Sequence, residues 1–92
     1  MKINGIIWLP SVIDKLLRKH ALTQEEVEQV FVNGPQYRFL ERGKIVGEDV
    51  YAAYGRTDAG RYVTVIFILK SGKALVITAR NMDWKERRQY GK

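Results

Sequence analysis

The feature of the sequence that most constrains its fold is an unbroken run of β-branched, aromatic and aliphatic side chains at residues 62–69. The run lacks the regular polar positions of a strand with one solvated face. It is typical of a central strand that is buried on both faces. We therefore predict a strand at residues 61–70 in the middle of a sheet.

Turn-forming residues on both sides of this run predict neighbouring strands in an antiparallel sheet. Residues 57–60 form a tight connection in which Gly60 supplies a positive φ, and residues 71–73 form a second turn. The predicted strands of this meander are residues 36–42, 48–56, 61–70 and 74–79, with a turn region at residues 43–47.

Two short helices are predicted before this sheet. Pro10 suits the first turn of a helix, and apolar residues recur on one face of residues 11–20. Thr23 and Glu26 form a capping box that begins a second helix, and residues 33–35 stop it. Because two or three residues separate the helices, they form a helical hairpin.

The two ends of the chain complete the predicted fold. Residues 3–8 form a short first strand, and Asn81 caps a final helix at residues 82–90. The element order is β-α-α-β-β-β-β-α. The fold class is α+β, with an antiparallel sheet packed by an N-terminal helical hairpin. With 92 residues, the chain is predicted to be one domain, residues 1–92.

Composition argues against several classes of protein. The chain has no cysteine and one histidine, His20, which argues against disulfides, a thiol nucleophile and a zinc or di-iron site. No apolar stretch reaches the length of about 18 residues that suggests a membrane span, and the first residues lack the pattern of a signal peptide. We expect a cytoplasmic protein with no cofactor, no metal and no membrane contact, and we leave its oligomeric state open.

The charge of the chain is concentrated in one part. The formal net charge is +6. Residues 1–35 carry equal numbers of acidic and basic side chains, so residues 36–92 carry all of the excess. A basic segment predicts a polyanionic partner, and charge alone leaves open whether that partner is a nucleic acid, an acidic protein or anionic lipid.

RNA cleavage is one reaction that suits this composition. Common cofactor-binding and catalytic motifs are absent, so any chemistry has to use ordinary side chains. In RNA cleavage the 2′-OH of the substrate is the nucleophile. The protein then needs a proton acceptor, a proton donor and cations beside the phosphate.

Candidate residues lie at the end of the first helix and around the hairpin turn. His20 can transfer protons near neutral pH, or it can simply complement the helix dipole. Arg56 and Arg61 can each donate two hydrogen bonds to the oxygens of a phosphate, and Tyr62 can stack on a base. The alternative is that these residues form a solvated turn. Alternation places Arg61 on the same face as Val63. If the helices cover that face, Arg61 points away from an open cleft unless it lies beyond the rim of the sheet.

Arg80 is a candidate phosphate ligand at the end of the last strand. Alternation places it with Thr78 and opposite Leu75, Ile77 and Ala79. The face that carries Arg80 is therefore the less apolar one, where a cleft is expected.

The final predicted helix carries Lys85, Arg87 and Arg88. These side chains form either a solvated face or a surface for RNA or an acidic protein. Trp8 and Trp84 are predicted to be packing residues rather than base-stacking platforms.

Several motifs, in order along nearly the whole chain, resemble those of BrnT-like toxins. The first half contains W-x-P at residues 8–10, K-H at 19–20, E-E-V at 25–27 and V-F at 30–31. The second half contains G-R-T-x-x-G-R-Y at residues 55–62, I-T-A-R at 77–80 and E-R-R-x-Y at 86–90.

This resemblance implies a RelE-like ribonuclease fold, metal-independent RNA cleavage that inhibits translation, and neutralisation by a cognate DNA-binding antitoxin. It carries family positions onto Lys19, His20, Gly60, Arg61, Arg80, Glu86, Arg87 and Arg88. The chain departs from the family pattern at Leu9, Val12, Leu16 and Ala21. The first three of these replace polar residues by apolar ones, so the chain resembles a divergent member.

Three functions are compatible with these patterns. The leading hypothesis is an RNA-cleaving toxin, with His20, Arg61 and Arg80 as catalytic residues. Its RNA-binding residues are Lys19, Arg56, Tyr62, Lys85, Arg87 and Arg88. The alternatives are a non-catalytic nucleic-acid-binding or regulatory module on the same fold, and a protein-interaction domain with an acidic partner.

Overall fold

A computed structural model describes residues 1–91 of the chain, and these residues contain the predicted helices and strands in the predicted order. The elements are β1 Ile6–Ile7, α1 Pro10–His20, α2 Gln24–Val32, β2 Gln36–Glu41, β3 Val50–Arg56, β4 Tyr62–Lys70, β5 Lys73–Asn81 and α3 Trp84–Gln89. The α+β class is therefore confirmed, whereas the likeness to RelE stays a prediction.

The strand built from the apolar run is the middle strand of the sheet, as predicted. The strand order is β1-β5-β4-β3-β2, and β2 to β5 form the antiparallel meander. The predicted first strand is present but is shorter than residues 3–8: β1 has only two residues, and it pairs with β5 in parallel. The strand ends before Trp8, whose indole N–H donates to Glu28 on α2 at 3.0 Å.

The helical hairpin covers one face of the sheet, which we call the inner face. There α1 packs mainly against β5 and α2 mainly against β3. The fully buried apolar residues of this layer include Leu16, Leu22, Val27, Val30, Val63, Val65, Phe67, Val76 and Ala79. The opposite, outer face carries the alternate side chains of β4, such as Thr64, and is covered in part by α3.

The predicted capping box of α2 is confirmed, and that of α3 involves a different residue. The Glu26 backbone N–H donates to the Thr23 hydroxyl at 3.1 Å, and the Thr23 backbone N–H donates to the Glu26 carboxylate at 3.0 Å. The N-cap of α3 is Asp83 and not Asn81. Asn81 is still paired with Val63 in the sheet, so the chain turns into the helix only after it.

A β-bulge in β5 changes the predicted alternation of side chains. Ile66 pairs with Thr78 and Phe67 pairs with Val76, which leaves Ile77 as the extra residue. The predicted grouping of Leu75 with Ala79 was therefore wrong: Val76 and Ala79 are both buried in the inner core. The grouping of Arg80 with Thr78 was right, since both follow the bulge.

Two features are absent from residues 1–91. No helix in this range combines the length and the apolar character that crossing a membrane would require. No group of three or more His, Asp or Glu side chains in the same range is placed to hold a metal ion.

Phe67 lies at the centre of an aromatic cluster on the inner face. Its ring is fully buried, with the rings of Phe31, Tyr37 and Tyr51 at centroid distances of 5.5, 6.0 and 5.9 Å. Phe39 lies at the edge of the same cluster against Tyr51 and is 52% exposed.

We predict that Phe67→Ala lowers the free energy of unfolding by about 3–5 kcal/mol, because it removes a buried ring and leaves a cavity. Phe39→Ala, which deletes the same atoms at a half-exposed site, should cost about 1 kcal/mol or less. Urea denaturation of both variants measures the two losses. Equal losses would contradict the placement of Phe67 at the centre of the core.

Candidate nucleic-acid interface

Most candidate residues gather at the end of the sheet where β4 begins and β5 ends. The turn that precedes β4 is fixed against α2, because the Asn33 amide donates to the Arg56 carbonyl and the Asp58 carboxylate, both at 3.0 Å. The Asp58 backbone N–H also donates to Gln29 at 3.0 Å. The turn therefore holds the ends of β3 and β4 in a defined position.

An ion pair between Arg80 and Glu86 joins α3 to the outer face at this end. The two guanidinium Nη atoms donate to the two carboxylate oxygens at 2.6 and 2.9 Å. Glu86 Oε1 also accepts from the Thr64 hydroxyl at 3.0 Å and from the Asp83 backbone N–H at 2.9 Å. One carboxylate thus ties together β4, β5 and the start of the helix.

These contacts shift the pKa values of both partners. Hydrogen bonding to Glu86 raises the pKa of the Arg80 guanidinium against the opposing effect of burial. Burial opposes ionisation of Glu86, but the hydrogen bonds from Arg80, the Asp83 N–H and Thr64 outweigh it, so the pKa of Glu86 is lowered. The pair is therefore ionised at neutral pH.

Arg80 keeps hydrogen-bonding capacity for a ligand. A guanidinium has five N–H donors, and three are used, two by Glu86 and one by the Asn81 carbonyl at 3.2 Å. Two donors remain, and the side chain is 42% exposed. Arg80 can therefore bind a phosphate while Glu86 holds it in place.

Arg61 lies on the inner side of the sheet, and almost all of its hydrogen-bond donors are already in use. It donates to the His20 carbonyl at 2.8 Å, the Ala21 carbonyl at 2.7 Å, the Asn81 side chain at 2.7 Å and Glu26 at 3.4 Å. Four of its five donors are used. The guanidinium thus binds the carbonyl end of α1, where a cation is favoured by the helix dipole.

The predicted catalytic residues form two groups rather than one. His20 and Lys19 end α1 beside Arg61, on the side of the sheet that the helices cover. Arg80 lies on the outer face, across from Thr64. Asn81 connects the groups, because its side chain accepts from Arg61 and its carbonyl accepts from Arg80.

Three predicted RNA-binding residues come together around the Tyr62 ring. The guanidinium carbons of Arg87 and Arg56 lie 4.0 and 4.8 Å from the ring centroid. The Tyr90 ring meets Tyr62 edge-on at 5.9 Å. Within residues 1–91, neither Arg56 nor Arg87 forms a salt bridge. These two charges are therefore available to an anionic ligand.

The prediction that both tryptophans are packing residues was right for Trp8 and wrong for Trp84. Trp8 packs against the core, but Trp84 is 63% exposed. Its ring is flanked by Lys85 and Arg88, whose charges lie 5.8 and 5.6 Å from the ring. The D-W-K-E sequence at residues 83–86 is a capping box that begins α3 at Trp84. This signal was not recognised from the sequence.

Asn81 and Thr64 were also missed as parts of the site. Each lies in a strand and bonds a charged residue far away in sequence: Asn81 binds Arg61, and Thr64 binds Glu86. Alternation along β4 and β5 could have placed Thr64 beside Arg80. No sequence signal pointed to Asn81 as more than a helix cap.

The fold and this surface define a small basic α+β domain with exposed arginine and aromatic side chains, suited to a nucleic acid. A family model described as the ribonuclease toxin BrnT of type II toxin–antitoxin systems matches residues 8–86. The chain therefore belongs to the BrnT toxin family.

Comparison of structures agrees with this fold. The crystal structure of the Brucella abortus ribonuclease toxin BrnT is similar to the chain, with a TM-score of 0.63 and 21% sequence identity. The similarity covers 86% of this chain and 96% of the Brucella chain. No curated protein matches the chain.

We predict that Glu86 makes stability depend on pH in the acid range. Because its folded-state pKa lies below the ordinary value of 4.5, its ionised form stabilises the fold fully above that value. The contribution is lost as the pH falls through the folded-state pKa. Glu86→Gln should therefore be less stable than the wild type at neutral pH, and the difference should shrink in acid.

Urea denaturation of both proteins between neutral pH and about pH 3 measures this difference. Glu25→Gln is the matched control, because Glu25 is exposed and forms no salt bridge within residues 1–91. A difference between wild type and Glu86→Gln that stays constant with pH would contradict the prediction.

Proposed function

We propose that the chain cleaves RNA without a metal ion, and that Arg80 binds the scissile phosphate. The observation that carries this proposal is the state of Arg80: it is oriented by Glu86, yet it has two unused N–H donors and a solvent-exposed side chain. A guanidinium held in this way stabilises charge that develops on phosphate oxygens without having to reorganise.

The neighbouring cations bind the rest of the RNA backbone. Arg56 and Arg87 lie against Tyr62 without carboxylate partners in residues 1–91. Each can neutralise one phosphate and release its counterions. Because both arginines lie against the Tyr62 ring, Tyr62 acts by positioning them rather than by stacking on a base. Lys85 and Arg88 extend the same basic surface along α3.

In this proposal, His20 takes part in proton transfer and Lys19 adds a cation beside it. Both residues lie on the other side of the sheet end from Arg80, so the RNA has to cross the rim at Asn81. Arg61 is a positioning residue here, since its donors hold the carbonyl end of α1 from which His20 projects.

Membership of the BrnT toxin family supports a further proposal about where and how the protein acts. We propose that RNA cleavage inhibits translation, that a cognate DNA-binding antitoxin neutralises the protein, and that both act in the cytoplasm. An excess of basic side chains in residues 36–92 supports an acidic protein partner as well as RNA.

A second candidate function is RNA binding without cleavage. It is favoured by the separation of His20 from Arg80 and by the near saturation of Arg61. Cleavage needs a proton acceptor and a proton donor at the same phosphate, whereas binding needs only the cations of the outer face.

We predict that the purified protein degrades total RNA in EDTA and that Arg80→Ala slows this cleavage about 100- to 1000-fold, the usual loss when one charge-stabilising donor is removed. His20→Ala should slow cleavage without weakening RNA binding. Arg42→Ala, which removes an exposed arginine just beyond β2, at the far end of the sheet, should have little effect. Gel analysis of the RNA over time measures the rates.

Arg80→Lys separates an effect on chemistry from an effect on folding. Lysine keeps the positive charge beside Glu86 but cannot form the two parallel hydrogen bonds of a guanidinium. It should fold, as judged by its thermal transition, and cleave slowly. Tight RNA binding by the wild type with intact RNA recovered, in the presence of ribosomes as well, would favour the second candidate and refute the first.

We also predict that Arg56→Ala and Arg87→Ala each weaken RNA binding and reduce the dependence of log K on log salt concentration by about 0.7, as expected for the loss of one phosphate contact with a single strand. Fluorescence anisotropy with a labelled single-stranded RNA at several salt concentrations measures the slopes. Arg42→Ala serves again as control. An unchanged slope in both variants would exclude these arginines as phosphate ligands.

A further inference from the structure

We propose that the cleft between α3 and strands β2 and β3 binds a nucleobase of single-stranded RNA and gives the protein a base preference. This inference rests on the proposed function, because the base belongs to the RNA whose phosphate Arg80 binds. The cleft has a volume of about 430 Å³, within the usual range for small-molecule sites. Its walls include Gln36, Arg38, Tyr54, Lys85, Gln89 and Tyr90.

The lining has the chemistry that recognises an unpaired base. Tyr54 and Tyr90 are half-buried aromatic rings, and proteins bind splayed-out bases by stacking them on such rings. Gln36 and Gln89 carry amides, which donate and accept hydrogen bonds as the edges of bases do. The Gly91 backbone N–H already donates to the side-chain amide oxygen (Oε1) of Gln36 at 3.2 Å, which leaves the Gln36 NH₂ group for a ligand.

The position of the cleft relative to Arg80 fits a base close to the scissile phosphate. Gln36, Tyr54, Thr64 and Arg80 form one cross-strand row on the outer face. Two strand spacings, about 10 Å, separate Tyr54 from Arg80, a distance on the scale of one nucleotide. Glu86 lines the cleft and also holds Arg80.

The charges around the cleft fit a polyanionic strand. Arg38 and Lys85 line it from β2 and α3 respectively. Neither forms a salt bridge within the part of the chain that the structure describes. The base of a nucleotide bound in the cleft would therefore contact aromatic rings, and its phosphates would contact cations without carboxylate partners.

The test is a titration of ¹⁵N-labelled protein with each of the four nucleoside 3′-monophosphates, with ribose 5-phosphate as a probe that lacks a base. We expect the side-chain amides of Gln36 and Gln89 and the backbone signals of Tyr54 and Tyr90 to shift. One nucleotide should bind about tenfold more tightly than the weakest, as expected for the loss of a base contact. Gln89→Leu should remove much of this preference.

Gln24→Leu is the matched control, because Gln24 is exposed at the start of α2, on the other face of the sheet. It should leave the preference unchanged. The inference is overturned if no nucleotide shifts these signals, if ribose 5-phosphate shifts them equally, or if Gln89→Leu and Gln24→Leu behave alike.

Cleavage of total RNA, measured separately, distinguishes this inference from the proposed function. Cleavage without nucleotide binding in the cleft overturns the base site and leaves the ribonuclease proposal standing. Base-selective binding in the cleft without any cleavage supports the site and refutes the catalytic function. The two proposals therefore fail on different measurements.

Discussion

The ion pair of Arg80 with Glu86 is the contact on which the outer face depends. Helix α3 has only six residues, too few to persist in water without tertiary contacts. Glu86 holds it by accepting from Arg80, Thr64 and its own N-cap at once. Because these hydrogen bonds of Glu86 hold α3 on the sheet, they also determine where Lys85, Arg87 and Arg88 lie. A residue that binds a phosphate in our proposal is thus also one that builds the surface.

Arg61 and Arg80 have the same side chain and different surroundings. They lie at one end of the sheet, but Arg61 donates to two carbonyl oxygens at the end of α1, whereas Arg80 donates to the Glu86 carboxylate and the Asn81 carbonyl and retains two donors. Sequence position alone made them equivalent candidates. The difference in unused donors is the reason why, in our proposal, Arg61 positions the helical hairpin and Arg80 binds the ligand.

The parts of the fold that sequence could predict depend on local patterns. The apolar run of β4, the turn glycine at residue 60 and the capping box of Thr23 each act within a few residues, and all were found in place. The parallel pairing of β1, the bulge at Ile77 and the partners of Arg61 depend on chain segments that are distant in sequence. Local periodicity carries no information about such contacts, so the site could be predicted only in part.

The arrangement of two guanidinium groups against Tyr62 has a thermodynamic consequence. A long arginine side chain that is free in water loses about 2 kcal/mol of rotamer entropy when a ligand fixes it. Arg56 and Arg87 are already confined by the ring at 4.8 and 4.0 Å. Much of that entropy is therefore lost during folding and not on binding. Two arginines held in this way can bind single-stranded RNA more tightly than their charge alone implies.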